Sequence, residues 1–249
     1  MTRILLLGGT TEATMLARLL AEAGVDGIFS YAGRTDKPMA QPLPTRVGGF
    51  GGVVGLVDYL RAERITHVVD ATHPFAAQMS THAVAACTES GVALAGLERP
   101  GWPQGEGDRW THVADMSGAV AALPSDGARV FLAIGKQNLA DFAAKPANFY
   151  LLRLVDPPTD PLPLPNAEAV IARGPFDMAS DRQLLEHHAI THIVAKNSGG
   201  SGARAKLDAA RALGLPVILI DRPHVPPRRV LDRPEAVMAW LDHSADLGV

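Results

Sequence analysis

A basic residue follows each strand-like segment in the second half of the sequence. If those strands are parallel, their carboxyl ends share one edge of a sheet and the cations gather there. Like charges at close range repel unless an anion neutralises them, so the pattern predicts a site for a polyanionic ligand. The alternative is that the loops face solvent separately. The residues are Lys136, Arg153, Arg173, Lys196 and Arg222.

The segment Lys196-Asn197-Ser198-Gly199-Gly200 has two interpretations. It could form a plain turn before a helix that Ser201 caps. It could instead bind an anion at the start of that helix, which places Ser198 in the ligand site.

In the first half, Asp70-Ala71-Thr72-His73-Pro74-Phe75-Ala76 follows the strand-like residues 67–70. Thr72 and His73 would stand at the rim of the sheet, where a histidine can act as an acid or as a hydrogen-bond donor to a ligand. The alternative is that Asp70 and Thr72 merely cap the next helix, which Pro74 can open.

Near the N-terminus, the apolar residues 4–7 run into Gly8-Gly9-Thr10-Thr11-Glu12 and then a helix-like segment. Backbone N–H groups at such a turn can hold a phosphate. The complete G-x-G-x-x-G spacing is missing, so a tight turn without a ligand is the alternative. The second strand ends at Gly33-Arg34. Arginine there, in place of an acid, suits the 2′-phosphate of NADP.

Strand-like and helix-like segments alternate along the chain, which predicts parallel strands joined by helices. We expect two Rossmann-like or flavodoxin-like α/β domains with a cleft between them, residues 1–105 and 106–249. The Pro- and Gly-rich residues 99–109 form the expected link. Residues 48–52 contain four glycines, which indicates that the backbone approaches a ligand or another segment closely.

The composition excludes several classes. The net charge of −3 gives no general attraction to nucleic acid. No apolar stretch reaches membrane-spanning length. The single cysteine, Cys87, excludes an internal disulfide and fits a reducing compartment, so we expect a cytoplasmic protein. His187, His188 and His192 lack a cysteine or carboxylate to complete a metal site, so no metal is expected.

Taken together, these motifs resemble the precorrin-6A reductase family of corrin-ring biosynthesis, in family order over nearly the whole chain. The most specific are the segments 70–76 and 196–200. The others are Gly8–Glu12, Gly48–Gly52, Glu98-Arg99-Pro100-Gly101-Trp102, Gly174-Pro175-Phe176 and Arg222-Pro223.

The resemblance implies an NADPH-dependent oxidoreductase of cobalamin biosynthesis. Its substrate would be precorrin-6A, a tetrapyrrole bearing acetate and propionate groups. Hydride would go to C19 and a proton to C18, giving precorrin-6B. The expected cofactor residues are Gly8, Gly9, Thr10, Thr11, Glu12, Arg34, Gly51, Thr72 and His73. The five basic residues and Ser198 would hold substrate carboxylates, and Lys136, Lys196, His73 or a water would donate the proton.

Two other functions remain open. One is an NADP-dependent reductase of another polycarboxylate, and the other is a non-catalytic protein that binds NADP or a tetrapyrrole. The sequence also leaves the oligomeric state open, a monomer included.

Overall fold

The computed structural model describes residues 2–33 and 39–246. The chain forms two compact units. One comprises the residues up to Pro100 together with the C-terminal part from His224, and the other is Gly101–Pro223. Within the described residues, no helix is both long and apolar enough to cross a bilayer.

The first unit is a parallel sheet covered by helices. Its strands are β1 (Arg3–Leu7), β2 (Asp26–Tyr31), β3 (Thr45–Val47), β4 (His67–Asp70), β5 (Ala93–Leu97) and β12 (Arg229–Leu231). Its helices are α1 (Thr11–Glu22), α2 (Gly52–Ala62), α3 (Ala77–Ser90) and α7 (Pro234–Asp246). The strand order is β12-β5-β4-β1-β2-β3, and every pairing is parallel.

The first strand shows why this unit is buried on both faces. Ile4 and Leu6 belong to the core cluster that contains residues of α1 and α7. Leu5 and Leu7 belong to the opposite cluster, with residues of α2 and α3. Because successive side chains of a strand point to opposite faces, a strand covered on both sides is apolar throughout. That requirement explains the unbroken run Ile-Leu-Leu-Leu.

The second unit has the same plan. Its strands are β6 (Trp110–Val113), β7 (Asp126–Ala133), β8 (Ala147–Leu154), β9 (Ala167–Ile171), β10 (His192–Lys196) and β11 (Val217–Ile220). Its helices are α4 (Met116–Ala122), α5 (Met178–His187) and α6 (Ala205–Leu213), with a 3₁₀ helix at Leu139–Ala144. The parallel order is β6-β11-β10-β7-β8-β9.

The predicted α/β class with two parallel sheets is confirmed. Strands β3, β6 and β12 were not predicted, because three or four residues with exposed or half-exposed side chains carry little apolar pattern. Each of them forms an edge of its sheet, where less burial is required.

The division of the chain differs from the expected domains 1–105 and 106–249. The chain leaves the first unit after Pro100 and returns to it at His224, so the last residues lie in the first unit. The physical reason is packing: β12 pairs with β5, and Val237 and Leu241 of α7 are buried in the cluster that contains Leu16 and Leu20. A sequence pattern shows that a segment is a strand or an apolar helix, but not which sheet it joins.

Candidate active site

In the first unit, Thr10 ties two loops together at the carboxyl edge of the sheet. It is the N-cap of α1, and its hydroxyl accepts a hydrogen bond from the Ala13 amide at 3.1 Å. The same hydroxyl donates to the carbonyl of Ala71 at 2.9 Å. The loop after β1 is therefore fixed to the loop after β4. The first amides of α1 have no carbonyl partner within the helix, which makes this end suited to a phosphate.

The two glycines before Thr10 are needed for different reasons, because Gly8 is buried with its amide bonded to the Ser30 carbonyl and Gly9 is exposed. A Cβ at Gly8 would lie 2.1 Å from the ring of Phe29, so no side chain fits there without moving the core. Gly9 has a φ of +134° and nothing within 4 Å of a Cβ position, so its backbone faces open space. Thr11 and Glu12 begin α1. A dinucleotide phosphate fits this arrangement of bare backbone and helix N-terminus.

One of the expected cofactor residues, Glu12, forms an ion pair within the first unit. The Glu12 carboxylate lies 2.5 Å from the guanidinium of Arg99, and both side chains are largely buried. That ion pair leaves Glu12 anchored to the end of β5. Arg34, expected beside the 2′-phosphate, lies outside the described residues.

A cation that the sequence analysis missed, Arg46 of β3, fixes the glycine-rich loop. It donates to the hydroxyl of Ser30 at 2.8 Å and to the carbonyls of Gly48 and Gly49 at 2.9 and 3.1 Å. Its guanidinium carbon also lies 3.9 Å from the centre of the Phe50 ring. Arg46 precedes the loop by two residues in the chain, but the bonds that turn its guanidinium back onto the loop carbonyls depend on β3, which was not predicted.

Gly51 stands at an exposed turn of that loop, with a φ of +83° and open space around a Cβ position. A close approach by a ligand at Gly51 is sterically possible. Gly55, one turn into α2, is constrained differently, because a Cβ there would lie 1.8 Å from the carbonyl oxygen of Phe50.

We therefore expect Gly55→Ala to lower the free energy of unfolding by about 2–3 kcal/mol, because the backbone of Phe50 must move. In an ordinary helix the same change stabilises by up to about 1 kcal/mol, so the sign is diagnostic. Chemical denaturation measures it. Gly49→Ala is the control, with open space around its Cβ and no left-handed φ. A more stable Gly55→Ala protein would contradict the expected clash.

Asp70 organises the loop after β4. One of its carboxylate oxygens accepts the Thr72 amide at 3.2 Å and the Thr72 hydroxyl at 2.7 Å. Helix α3 begins only at Ala77, and its N-cap residue, Ala76, has no side-chain cap. The alternative that Asp70 and Thr72 cap the helix is therefore wrong. They shape the turn at the rim instead.

His73 is exposed in the same loop, and its Nδ1 accepts a hydrogen bond from the Phe75 amide at 3.2 Å. With Nδ1 acting as an acceptor, a neutral ring carries its proton on Nε2. In that form the Nε2–H can donate a hydrogen bond to a ligand, which is one of the roles expected for His73.

In the second unit, the five predicted basic residues all lie at or just beyond the carboxyl ends of parallel strands β7 to β11. Their surroundings differ. Lys136 and Arg173 are exposed, and Arg173 has Asp156 at 3.7 Å. Lys196 is half-buried at the end of β10.

Arg153 is turned into the unit. Its guanidinium forms an ion pair with Asp181 of α5, and the two side chains are only 11% and 3% exposed. It also lies 4.0 Å from the centre of the Phe176 ring. Asp181 was missed by the sequence analysis, because a lone aspartate in a helix gives no sign of such a partner. Arg153 can therefore bind a ligand only through guanidinium N–H groups that its ion pair with Asp181 leaves unused.

Arg222 and Trp102 hold the loop that follows Lys196. Arg222 donates to the carbonyls of Asn197 and Ser198 at 3.0 and 3.3 Å. The backbone amide of Trp102 donates to the Asn197 side chain at 2.8 Å, and its indole N–H donates to the Gly200 carbonyl at 2.7 Å. These bonds turn the carbonyls of the loop toward the protein. Ser198 is buried within it.

Lys206 of α6, which the sequence analysis also missed, lies beside Trp102, whose indole is bonded to this loop. Its amine donates to the Ala203 carbonyl and lies 4.9 Å from the centre of a Trp102 ring. Burial lowers the pKa of Lys206 to about 8, while nearby Asp181 raises it and Arg153 lowers it further. Helix α6 has Arg204 as its N-cap, without a side-chain cap, so the alternative in which Ser201 caps the helix is wrong.

These two units define a class: an α/β protein with one Rossmann-like unit suited to a dinucleotide and a second unit with a basic strand edge. The comparisons are more specific. Residues 3–242 match the family described as "Precorrin-6x reductase CbiJ/CobK". The chain belongs to this family of oxidoreductases, which confirms the resemblance and implies a nicotinamide cofactor.

Individual relatives agree over the full length. A "Precorrin-6A reductase" of Rhodobacter capsulatus is 66% identical, covering 98% of both chains. One of Rhodococcus erythropolis is 45% identical over 97% of this chain and 98% of its own. A solved structure titled "CobK precorrin-6A reductase" is 66% identical and superposes with a TM-score of 0.94, covering 98% of this chain and 97% of that one.

Proposed function

We propose that this chain is an NADPH-dependent precorrin-6A reductase of cobalamin biosynthesis. Hydride would go to C19 and a proton to C18, giving precorrin-6B. The observation that carries the proposal is the 66% identity to a precorrin-6A reductase over 98% of both chains, with both units included. The physical chemistry supports it, since one unit suits phosphates and the other suits a polycarboxylate.

In the first unit, the exposed backbone at Gly9 and the N-terminus of α1 hold the cofactor phosphates, and Gly8 brings the chain into that turn. Gly51, Thr72 and His73 lie along the nicotinamide side, where the Nε2–H of His73 donates a hydrogen bond. When bound, NADPH supplies the hydride, so the protein contributes orientation and exclusion of water. Thr10 acts in this site by fixing one loop to the other.

In the second unit, Lys136, Arg173 and Lys196 offer cationic groups to the acetate and propionate groups, with Arg153 and Arg222 behind them. Arg153 and Arg222 also maintain the site, through Asp181 and the loop carbonyls. Ser198, in the loop that follows Lys196, is the remaining residue that we assign to the substrate. With one buried cysteine, whose pKa burial raises to about 12, the chain has no need of an oxidising compartment, and we place it in the cytoplasm.

The test is the disappearance of NADPH absorbance after precorrin-6A is added, with product identified by mass. Turnover to a product two hydrogens heavier supports the proposal. Tight binding of the tetrapyrrole without oxidation of NADPH would replace it with the carrier function. A substrate panel of other polycarboxylates addresses the remaining alternative.

Arg34→Ala should weaken NADPH much more than NADH, because only NADPH carries the 2′-phosphate that an arginine at the end of the second strand suits. Loss of a charge-assisted hydrogen bond corresponds to roughly a 10- to 100-fold rise in the KM for NADPH. Steady-state kinetics with both cofactors measures it. An equal loss for both would show that Arg34 does not recognise the 2′-phosphate.

A further inference from the structure

Thr72 takes its position from Asp70. The Asp70 side chain is 1% exposed, and one of its oxygens receives both the amide and the hydroxyl of Thr72. A buried carboxylate needs its remaining oxygen satisfied as well. The orientation of Thr72 therefore depends on what holds the second oxygen of Asp70.

That partner is Arg228, which comes from the C-terminal return of the chain into the first unit. Its guanidinium lies 3.3 Å from the second oxygen of Asp70, and its side chain is 7% exposed. The same nitrogen donates to the carboxylate of Glu98. The Arg228 guanidinium therefore lies between the carboxylates of Asp70 and Glu98. Without this cation the two negative charges would repel each other, because little water reaches them to screen the repulsion.

A second arginine continues the arrangement. Arg99, next to Glu98 in the chain, pairs with Glu12 in the first turn of α1. Both loops of the proposed dinucleotide site, after β1 and after β4, are therefore anchored around the end of β5. Thr10 joins them directly through the Ala71 carbonyl.

We propose that Arg228 is a positioning residue of the cofactor site, acting through Asp70 on Thr72. The inference rests on the proposed function, which puts Thr72 on the nicotinamide side. Arg228 contacts the carboxylates of Asp70 and Glu98, and we assign the contact with the cofactor to Thr72. Its removal should therefore weaken the binding of the nicotinamide half and leave the adenosine half bound as before.

The experiment compares two ligands in binding titrations on the full chain: NADP⁺, and adenosine 2′,5′-bisphosphate, which lacks the nicotinamide half. Arg228→Met should raise the Kd for NADP⁺ roughly 10-fold, because a displaced Thr72 loses one neutral hydrogen bond to the nicotinamide half. The Kd for the bisphosphate should stay close to its wild-type value. Arg229→Met is the matched control, an exposed neighbour that should change neither.

The outcomes separate the proposals. If the wild-type chain does not bind NADP⁺, the proposed function fails. Suppose that the wild type binds NADP⁺. If Arg228→Met then binds both ligands as tightly as the wild type does, or loses affinity for both by the same factor, the positioning role is overturned. If Arg228→Met does not fold, Arg228→Lys decides: it keeps the charge but not the planar geometry, and it should show a smaller loss confined to NADP⁺.

Discussion

Replacing Lys196 with Met is expected to lower kcat by roughly 10²–10⁴-fold, the typical cost of losing a positioned general acid. In the proposed reaction a proton is added at C18, and Lys196 is one of the candidate donors. Lys196 is half-buried and ends β10, which lies between β7 and β11 in the interior of its sheet. Ligands of open α/β sheets bind at such carboxyl ends.

The measurement is the rate of NADPH oxidation over a range of precorrin-6A concentrations, which gives kcat and KM separately. Lys136→Met is the matched control, because it removes the same charge from an exposed loop after β7. We expect it to raise KM with little change in kcat, as for a carboxylate clamp. If Lys196→Met also changes KM alone, Lys196 binds substrate and the proton comes from another group or a water.

The sequence was sufficient for the parts of this protein that depend on regular patterns. Apolar runs such as residues 4–7 and 217–220 have the length of a strand and no polar residue, as expected for parallel strands that are covered on both faces. Once the strands are parallel, the carboxyl ends must align, so the placement of Lys196 and the other four cations followed from topology. The rim positions of Thr72 and His73 followed in the same way.

What the sequence could not show are the pairings between distant residues. Arg228 and Asp70 are separated by 158 positions, and their contact depends on the return of the chain to the first unit. Arg153 looks like any other basic residue after a strand until Asp181 is found beside it. Such partners are set by tertiary packing, and a single sequence holds no periodic signal for them.

The partners of each cation decide how a substitution at its position is interpreted. A cation at a strand end can bind the ligand, hold the loop that binds it, or neutralise a buried acid. Arg222 bonds to two loop carbonyls and Arg153 to a buried carboxylate, so changing either one alters the site as well as its charge. Effects on KM at these positions cannot be assigned to lost substrate contacts without a measurement of stability.

Asp181→Asn should reveal the size of that structural contribution, with an expected loss of about 3–5 kcal/mol in the free energy of unfolding. The change leaves Arg153 and Lys206 buried near each other with no carboxylate between them. Asp181 normally raises the pKa of Lys206. In its absence the pKa of Lys206 falls, and the amine loses its proton closer to neutral pH.

Urea denaturation measures the loss, and Glu186→Gln on the same helix is the control. Glu186 pairs with Arg182, but both side chains are about half exposed, so its removal should cost only about 0.3–0.5 kcal/mol. A double replacement, Arg153→Met with Asp181→Leu, should recover part of the stability, because it removes both members of the ion pair and leaves only the Lys206 amine, which donates to the Ala203 carbonyl. If Asp181→Asn costs no more than Glu186→Gln, the buried charge of Arg153 must be balanced by another group, and the role of the Arg153–Asp181 pair in stabilising the second unit would be disproved.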